Sequence, residues 1–131
     1  MLNPADAAFL ETLTAALPPD SLHAPEPRYL EEPRGRWRGQ AAAVALPRKV
    51  AEVSAILRTA HAAKVAVVPW GGGTGLVGGQ VKPEGPLPLL VSLERMAALR
   101  GAYREENVLV VEAGMILADV HAEADRLDRI F

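Results

Sequence analysis

The sequence contains no cysteine, which excludes disulfide bonds, thiolate nucleophiles and the zinc and iron–sulfur sites that cysteine ligands hold. Aromatic residues are also scarce, because only two each of Trp, Tyr and Phe occur among the 131 residues. Since half of the residues are apolar, a core must be built mainly from Ala, Val and Leu. A chain of this length and composition is typical of one globular domain.

Strong charge and long hydrophobic runs are absent as well. The 14 Lys and Arg residues against 16 Asp and Glu residues give a net charge of −2, which does not favour nucleic-acid binding, and the basic segment PRGRWRG at residues 33–39 is short. No run approaches the ~20 apolar residues of a membrane span, and the N-terminus lacks a basic leader followed by an apolar core. We therefore predict a cytoplasmic protein with no nucleic-acid partner and no membrane span.

Glycine, by contrast, is concentrated in one place. Six of the 11 glycines fall within the nine residues 71–79, GGGTGLVGG, directly behind the apolar run VAVVP. An ordered glycine costs about 0.5–1 kcal/mol relative to alanine in regular structure, so this density indicates a task for the backbone. That task is either binding a ligand that approaches closely or making a tight crossing between strands.

The spacing of apolar residues predicts helices that alternate with short strands. The predicted elements are a helix with Asn3 as N-cap and Pro4 in its first turn that ends before Pro18; an irregular connection over residues 18–39; a strand in QAAAVALP; a helix to about Ala63 with Val50, Val53, Ile56, Leu57 and Ala60 on one face; strands in KVAVVP and LPLLVSL; a hairpin of LRGAYRE and NVLVVEAG with EEN at its turn; and a last helix marked by Ile116, Val120, Ala124 and Leu127. The strand, helix and strand around Ile56 predict a parallel βαβ unit. The predicted fold class is α+β, α/β-like in its first half, with a small, mostly parallel sheet and flanking helices.

Two familiar phosphate-binding motifs do not fit the glycine segment. Gly73, Gly75 and Gly78 match the pattern G-x-G-x-x-G, but a dinucleotide fold needs a helix directly behind them, and the next ten residues, GQVKPEGPLP, cannot form one. A nucleotide-hydrolase loop needs a lysine directly after its last glycine, and Lys82 is out of frame. What remains is a strand followed by a helix-free loop, whose backbone N–H groups can form a concavity that binds a diphosphate.

The segment VVPWGGGTGLVGGQV, with its flanks VALPRKVAEVSAILRTAHAAKV and LLVSLERMAALRGAYREENVLVVEAGMILADVHAEAD, resembles the start of the PCMH-type FAD-binding domain of the vanillyl-alcohol oxidase and p-cresol methylhydroxylase superfamily. Within it, the chain is most similar to the FAD-linked oxidase branch, which includes the glycolate oxidase FAD subunit, D-lactate dehydrogenases and D-2-hydroxyglutarate dehydrogenase. The resemblance covers residues 28–131 and leaves residues 1–27 as an N-terminal helix and Pro-rich connection. It implies that this is the first part of that domain, without its second half and substrate domain.

The resemblance also implies which residues hold the cofactor. The residues expected to wrap the FAD diphosphate, mostly through backbone N–H groups, are Pro69, Trp70, Gly71, Gly72, Gly73, Thr74, Gly75, Leu76, Val77, Gly78 and Gly79. Family members that link FAD covalently often use a histidine in this loop, but the histidines here are His23, His61 and His121, so non-covalent FAD is implied. The chain departs from the family at Trp70, where Arg or Gln is common, and at Arg48-Lys49, where a helix-capping Ser or Thr is usual.

The implied function is the FAD-binding portion of an oxidoreductase that oxidises a D-2-hydroxy acid, of the glycolate, D-lactate or D-2-hydroxyglutarate type, by hydride transfer to FAD. The substrate would bind outside this chain, which alone would be inactive. Alternatives are a non-enzymatic nucleotide-binding or self-associating domain, and another member of the superfamily such as a sugar-alcohol oxidase. The resemblance leaves open two kinds of partner: a second copy of the chain in a homo-oligomer, or an iron–sulfur subunit that accepts electrons.

Single residues outside the loop give weaker indications. Glu112 in VVEAG lies either near the flavin or in a purely structural position. Trp37, among arginines, is interpreted as an aromatic anchor for a neighbouring subdomain. His121 and Glu123 differ by two positions on the last predicted helix and therefore face apart, so no metal site is predicted, and no catalytic residue is identified.

Overall fold

Six short strands and four α-helices make up the protein in a computed structural model that describes all residues 1–131. In chain order they are α1 (Ala7–Ala16), β1 (Leu22–His23), α2 (Pro27–Leu30), β2 (Ala43–Ala45), α3 (Val50–Ala63), β3 (Val67–Trp70), β4 (Leu89–Ser92), β5 (Leu99–Tyr103), β6 (Val108–Val111) and α4 (Leu117–Arg126). Every strand and long helix predicted from the apolar spacing is present, which confirms the α+β class. The structure adds β1 and α2 within the connection that was predicted to be irregular.

The main sheet has the strand order β1-β2-β4-β3. Strand β4 is parallel to both β2 and β3, whereas β1 is antiparallel to β2. The predicted βαβ unit therefore has parallel strands, but β4 lies between them and they are not neighbours. All four residues of β4 are buried, as expected of a central parallel strand that reads as a continuous apolar run.

Each face of the sheet packs against its own core. On one face Ala43, Ala45, Leu89 and Val91 meet α1 and α3. On the other face Val44, Leu46 and Leu90 form a smaller cluster with the rings of Tyr29 and Trp70. The second core matters for the site, because Trp70 is also the residue from which the glycine segment departs.

The first predicted helix start was wrong. Helix α1 is capped by Asp6, whose Oδ1 accepts a hydrogen bond of 2.9 Å from the Phe9 N–H. Asn3 instead lies at the end of α3, where its backbone N–H donates to the Lys64 carbonyl and its Nδ2 to the Ala63 carbonyl, each at 2.9 Å. Both residues are good N-caps, and the long-range contact of Asn3 with α3 leaves the capping position to Asp6.

The predicted apolar face of α3 was partly wrong. Ile56 and Ala60 are buried as expected, but Val50 and Leu57 are 63% and 48% exposed, and the third buried residue is Glu52. Glu52 Oε2 accepts a 2.7 Å hydrogen bond from the Arg48 N–H. This bond ties the residue before the N-cap Lys49 to the first turn of the helix, while no side chain makes the capping hydrogen bond that a Ser or Thr would make.

The hairpin of β5 and β6 forms as predicted, with a 3₁₀ turn at Arg104–Glu106 and Asn107 in the left-handed conformation. Helix α4 begins one residue after Ile116, which caps it and is exposed, while Val120 and Ala124 are buried.

Candidate functional site at the carboxyl end of the parallel sheet

The glycine loop, defined here as residues Gly71–Gly79, leaves the carboxyl end of β3 directly after Trp70. The next regular element is β4, so no helix follows the loop. The helix-free loop was predicted from the prolines behind it. Its position agrees with the general rule that parallel sheets bind ligands beyond the carboxyl ends of their strands.

The backbone amides of this loop are not used by the protein itself. None of the nine N–H groups from Gly71 to Gly79 donates a hydrogen bond to a backbone or side-chain acceptor of the chain. Most backbone N–H groups of folded proteins are paired within the structure or with ordered water. Successive unpaired N–H groups in a turned segment form a concavity with positive potential, which is suited to an anion.

Three glycines of the loop face open space. A Cβ built on Gly71 or Gly79 would have no atom within 4 Å, and a Cβ built on Gly72 would have only the Thr74 methyl at 4.0 Å. None of the three has a positive φ. Neither backbone conformation nor internal packing therefore requires glycine at these positions, and a cradle that a Cβ would fill fits a ligand approaching the backbone closely.

Two other glycines of the loop have an internal reason. Gly73 and Gly78 have φ values of +70° and +75°, a region that residues with a Cβ rarely adopt. A Cβ on Gly73 would lie 2.6 Å from Cζ2 of Trp70, and a Cβ on Gly78 would lie 3.3 Å from Cδ1 of Trp37. The buried Trp70 ring and the half-exposed Trp37 ring thus lie against the backbone of the loop, a role that the sequence did not reveal for Trp37.

Loop side chains contribute little to its shape. Pro69, Thr74, Leu76 and Val77 are all exposed, and the Thr74 hydroxyl makes no hydrogen bond within the chain. The side chain that braces the loop is Gln80, whose Nε2 donates to the Gly75 carbonyl at 2.6 Å and to the Gly73 carbonyl at 3.4 Å. Sequence reasoning missed this residue, for which an amide side chain directly behind the glycines was the one available signal.

A polar cluster lies against Trp70, and no sequence pattern indicated it. The Tyr29 ring meets the Trp70 ring edge-to-face, with centroids 4.9 Å apart. The Tyr29 hydroxyl lies 3.1 Å from both carboxylate oxygens of Glu94, which also accepts from Ser92 Oγ at 2.9 Å and from Arg28 Nη2 at 3.1 Å. The cluster joins α2 to the carboxyl end of β4, next to the start of the loop.

This cluster changes the proton affinity of its members in opposite directions. Partial burial acts to raise the pKa of Glu94, but the hydrogen bonds from Ser92, Arg28 and Tyr29 outweigh it and hold the pKa below the usual value. Burial and the neighbouring Glu94 carboxylate raise the pKa of Tyr29. Glu94 is therefore ionised and Tyr29 neutral at pH 7, and the hydroxyl donates to the carboxylate.

Other candidate positions lie outside the loop and its support. Glu112 Oε2 accepts from the Ala98 N–H, and its Oε1 accepts from Arg100 Nη1, each at 3.0 Å. These bonds, the backbone one first, lower the pKa of Glu112 and favour its structural interpretation. A surface groove of about 740 Å³ lies between α1 and α3 and includes no residue of the glycine loop. No group of three or more His, Asp or Glu side chains is arranged to hold a metal ion.

Comparison with known proteins identifies the family. The FAD binding domain family matches residues 41–131. The chain belongs to this family of FAD-binding domains. The predicted resemblance and its FAD cofactor are thereby confirmed at the level of the family, and the matched residues include the whole glycine loop.

Relatives of similar sequence include proteins named D-2-hydroxyglutarate dehydrogenase and D-lactate dehydrogenase. The chain is 47% identical over 89 residues to a D-2-hydroxyglutarate dehydrogenase from Xanthomonas citri pv. viticola, an alignment that covers 68% of this chain and 18% of that protein. It is 37% identical over 87 residues to the mitochondrial D-2-hydroxyglutarate dehydrogenase of Arabidopsis thaliana, an alignment that covers 65% of this chain and 15% of that protein. A D-lactate dehydrogenase from Anaerostipes hadrus is 33% identical over 75 residues, which cover 57% of this chain and 15% of that protein. The chain thus spans less than a fifth of the length of these relatives.

Solved structures share the fold at low identity. An alkyldihydroxyacetonephosphate synthase superposes with a TM-score of 0.76 at 20% identity over 96% of this chain and 28% of that chain. The glucose dehydrogenase Phl p 4.0202 superposes with a TM-score of 0.73 at 15% identity over 91% of this chain and 26% of that chain. These neighbours confirm the predicted fold of the PCMH type. The longest helix here, α3, has 14 residues, and none of the helices could cross a bilayer.

Proposed function

We propose that residues Pro69–Gly79 bind the diphosphate of FAD non-covalently, and that the chain is the cofactor-binding portion of a flavin-dependent oxidoreductase. The observation that carries the proposal is the combination of nine unpaired amides with three glycines whose Cβ positions face open space. Hydrogen bonds from backbone N–H groups to a charged oxygen contribute about 1.5–3 kcal/mol each. Several such bonds give a diphosphate site that needs no basic side chain and no histidine in the loop.

A D-2-hydroxy acid is the substrate class that we propose for the oxidoreductase. Support comes from the names of the relatives, which are D-2-hydroxyglutarate and D-lactate dehydrogenases. Bound FAD supplies the chemistry that accepts a hydride, whereas the residues described here bind and orient the cofactor. A glycolate substrate, a cytoplasmic location and an iron–sulfur or homo-oligomeric partner stay predictions.

A competition experiment tests the diphosphate site. The intrinsic fluorescence of FAD is titrated with the protein, and ADP or FMN is then added as competitor. Because the loop recognises the diphosphate, ADP should displace FAD, and FMN, which carries a single phosphate, should not. Displacement by FMN but not by ADP would place recognition on the isoalloxazine and contradict the proposed role of the loop.

Two matched variants connect this result to the loop. Gly72→Val places a branched side chain in the open space of the cradle and should weaken FAD binding at least about tenfold, equivalent to 1.4 kcal/mol. Ala97→Val adds a branched side chain at an exposed position between β4 and β5 and should leave the affinity unchanged. Equal affinities for the two variants would rule out the assigned site.

A further inference from the structure

Tyr29, Glu94 and Trp70 form a cluster that joins two buried aromatic rings to a charged side chain. Tyr29 and Trp70 are 2% and 7% exposed and belong to the core on one face of the sheet. Glu94 brings a charge to the border of that core, where Ser92, Tyr29 and Arg28 all donate hydrogen bonds to it. A charged group at such a position is costly unless it is fully paired. The three hydrogen bonds supply that pairing and hold the Tyr29 hydroxyl in place.

We propose that Tyr29 and Glu94 are positioning residues for the glycine loop, which they set through Trp70. In this arrangement Glu94 fixes the Tyr29 hydroxyl, the Tyr29 ring fixes the indole, and the indole fixes Gly73. The inference rests on the proposed function of the loop as the FAD diphosphate site. In this chain the loop would be held in position through Trp70, a residue that departs from the family pattern.

The first step is the immobilisation of Tyr29. Its hydroxyl lies at 3.1 Å from both oxygens of Glu94, and Arg28 donates to the same hydroxyl. The Arg28 guanidinium also lies over the Tyr29 ring, 4.2 Å from the centroid. The hydrogen bonds hold the Tyr29 hydroxyl, and the guanidinium holds one face of its ring. The ring therefore has a fixed position where it meets Trp70.

The second step is the contact between the indole and the loop. The position of a Cβ on Gly73 would lie only 2.6–3.0 Å from Cζ2, Cε2 and Nε1 of Trp70, so the backbone at Gly73 rests directly on the ring. Gln80 Nε2 also donates a hydrogen bond of 3.4 Å to the carbonyl of the same residue. A displaced indole would therefore release Gly73 and change the directions of the neighbouring N–H groups.

The test follows Trp70 and FAD separately. The chain has only two tryptophans, so a Trp37→Phe background makes Trp70 the sole reporter, and all affinities are compared within that background. The variants are Tyr29→Leu, which removes the ring and hydroxyl, and Tyr29→Phe and Glu94→Gln, which keep the shape. Matched controls are Tyr103→Phe on the exposed hairpin and Glu123→Gln on α4, where the carboxylate pairs only with Arg126.

The expected result is a graded effect on both readouts. Tyr29→Leu should shift Trp70 emission to longer wavelength, increase its quenching by acrylamide and weaken FAD binding by about tenfold or more. Tyr29→Phe and Glu94→Gln should shift the Trp70 emission less than Tyr29→Leu does, and each should weaken FAD binding by about two- to threefold. The two control variants should change neither, and circular dichroism should show the same secondary structure throughout.

Two results would overturn the inference, and they are distinguishable. If the Trp37→Phe background binds FAD and the shape-preserving variants change Trp70 emission at unchanged FAD affinity, the cluster only stabilises the core and positions nothing. If neither the unmodified chain nor the background binds FAD, the proposed function itself is wrong, and the positioning role is lost with it.

Discussion

Glycines in two regions of this protein serve opposite purposes. At Gly114 a Cβ would overlap the Leu93 carbonyl oxygen and lie 2.9 Å from the Met96 carbonyl oxygen, and at Gly39 it would lie 2.9 Å from Val81 Cβ and Lys82 N. At Gly71 and Gly79 a Cβ would meet nothing. The first pair lets the chain pack against itself, whereas the second pair keeps space free at a row of unpaired amides. Glycine density in a sequence does not distinguish these purposes, but substitution does.

The largest effect is expected at Gly114. Gly114→Ala forces a methyl group into backbone carbonyls that cannot move without displacing the turn after β4. We expect a loss of about 3 kcal/mol in the free energy of unfolding, at the upper end of overpacking costs. Urea denaturation measures this value. A loss below about 0.5 kcal/mol, the range of neutral surface changes, would mean that the turn is free to adjust and that the comparison fails.

Gly73 lies between the two classes, because it belongs to the loop but rests on Trp70. Gly73→Ala should cost about 2 kcal/mol, of which roughly 1 kcal/mol is the positive φ and the rest the collision with the indole. In a Trp70→Gln background only the φ cost should remain. A double-mutant cycle measured by urea denaturation therefore predicts a coupling of about 1 kcal/mol, and additive effects would show that the ring does not support Gly73.

A smaller effect concerns pH and the support beneath the loop. Because the pKa of Glu94 is lowered in the folded state, the stabilisation from its ionised form is fully present above the ordinary pKa of 4.5 and is lost as the pH falls through the lower folded value. Glu94→Gln should therefore reduce stability near neutral pH and flatten the acid-side decline of the unfolding free energy. An unchanged decline from about pH 6 to pH 3 would show that Glu94 is not stabilised in its ionised form.

The sequence predicted those parts of the structure that depend on local patterns. The runs KVAVVP and LPLLVSL and the prolines behind the glycines specified β3, β4 and a helix-free loop between them. The insertion of β4 between β2 and β3 was not predictable, because strand order depends on how distant segments pack. The same holds for Asn3 at the end of α3, and for the outward rotation of Val50 that accompanies the burial of Glu52.

The candidate site divides in the same way. The loop residues from Pro69 to Gly79 were predicted from their sequence and the family resemblance. Their support was not, since Tyr29 and Glu94 are 65 positions apart and neither belongs to a periodic pattern. Trp70 was predicted as a cofactor-binding residue and as a departure from the family pattern, but not as a support for the loop. The structure explains this residue by the ring that it places beneath Gly73.

The most direct measurement substitutes all three open glycines at once. The variant Gly71→Ala/Gly72→Ala/Gly79→Ala fills the cradle with methyl groups that collide with no atom of the protein, since the nearest contact is the Thr74 methyl at 4.0 Å from the Cβ on Gly72. Each Gly→Ala change also lowers the entropy of the unfolded chain, which adds about 0.4–1 kcal/mol of stability. FAD titration and urea denaturation of this variant and the unmodified chain give the two required values. The account predicts a variant that is more stable and that no longer binds FAD. A variant that binds FAD as tightly as the unmodified chain would contradict the central claim that these glycines leave room for the cofactor.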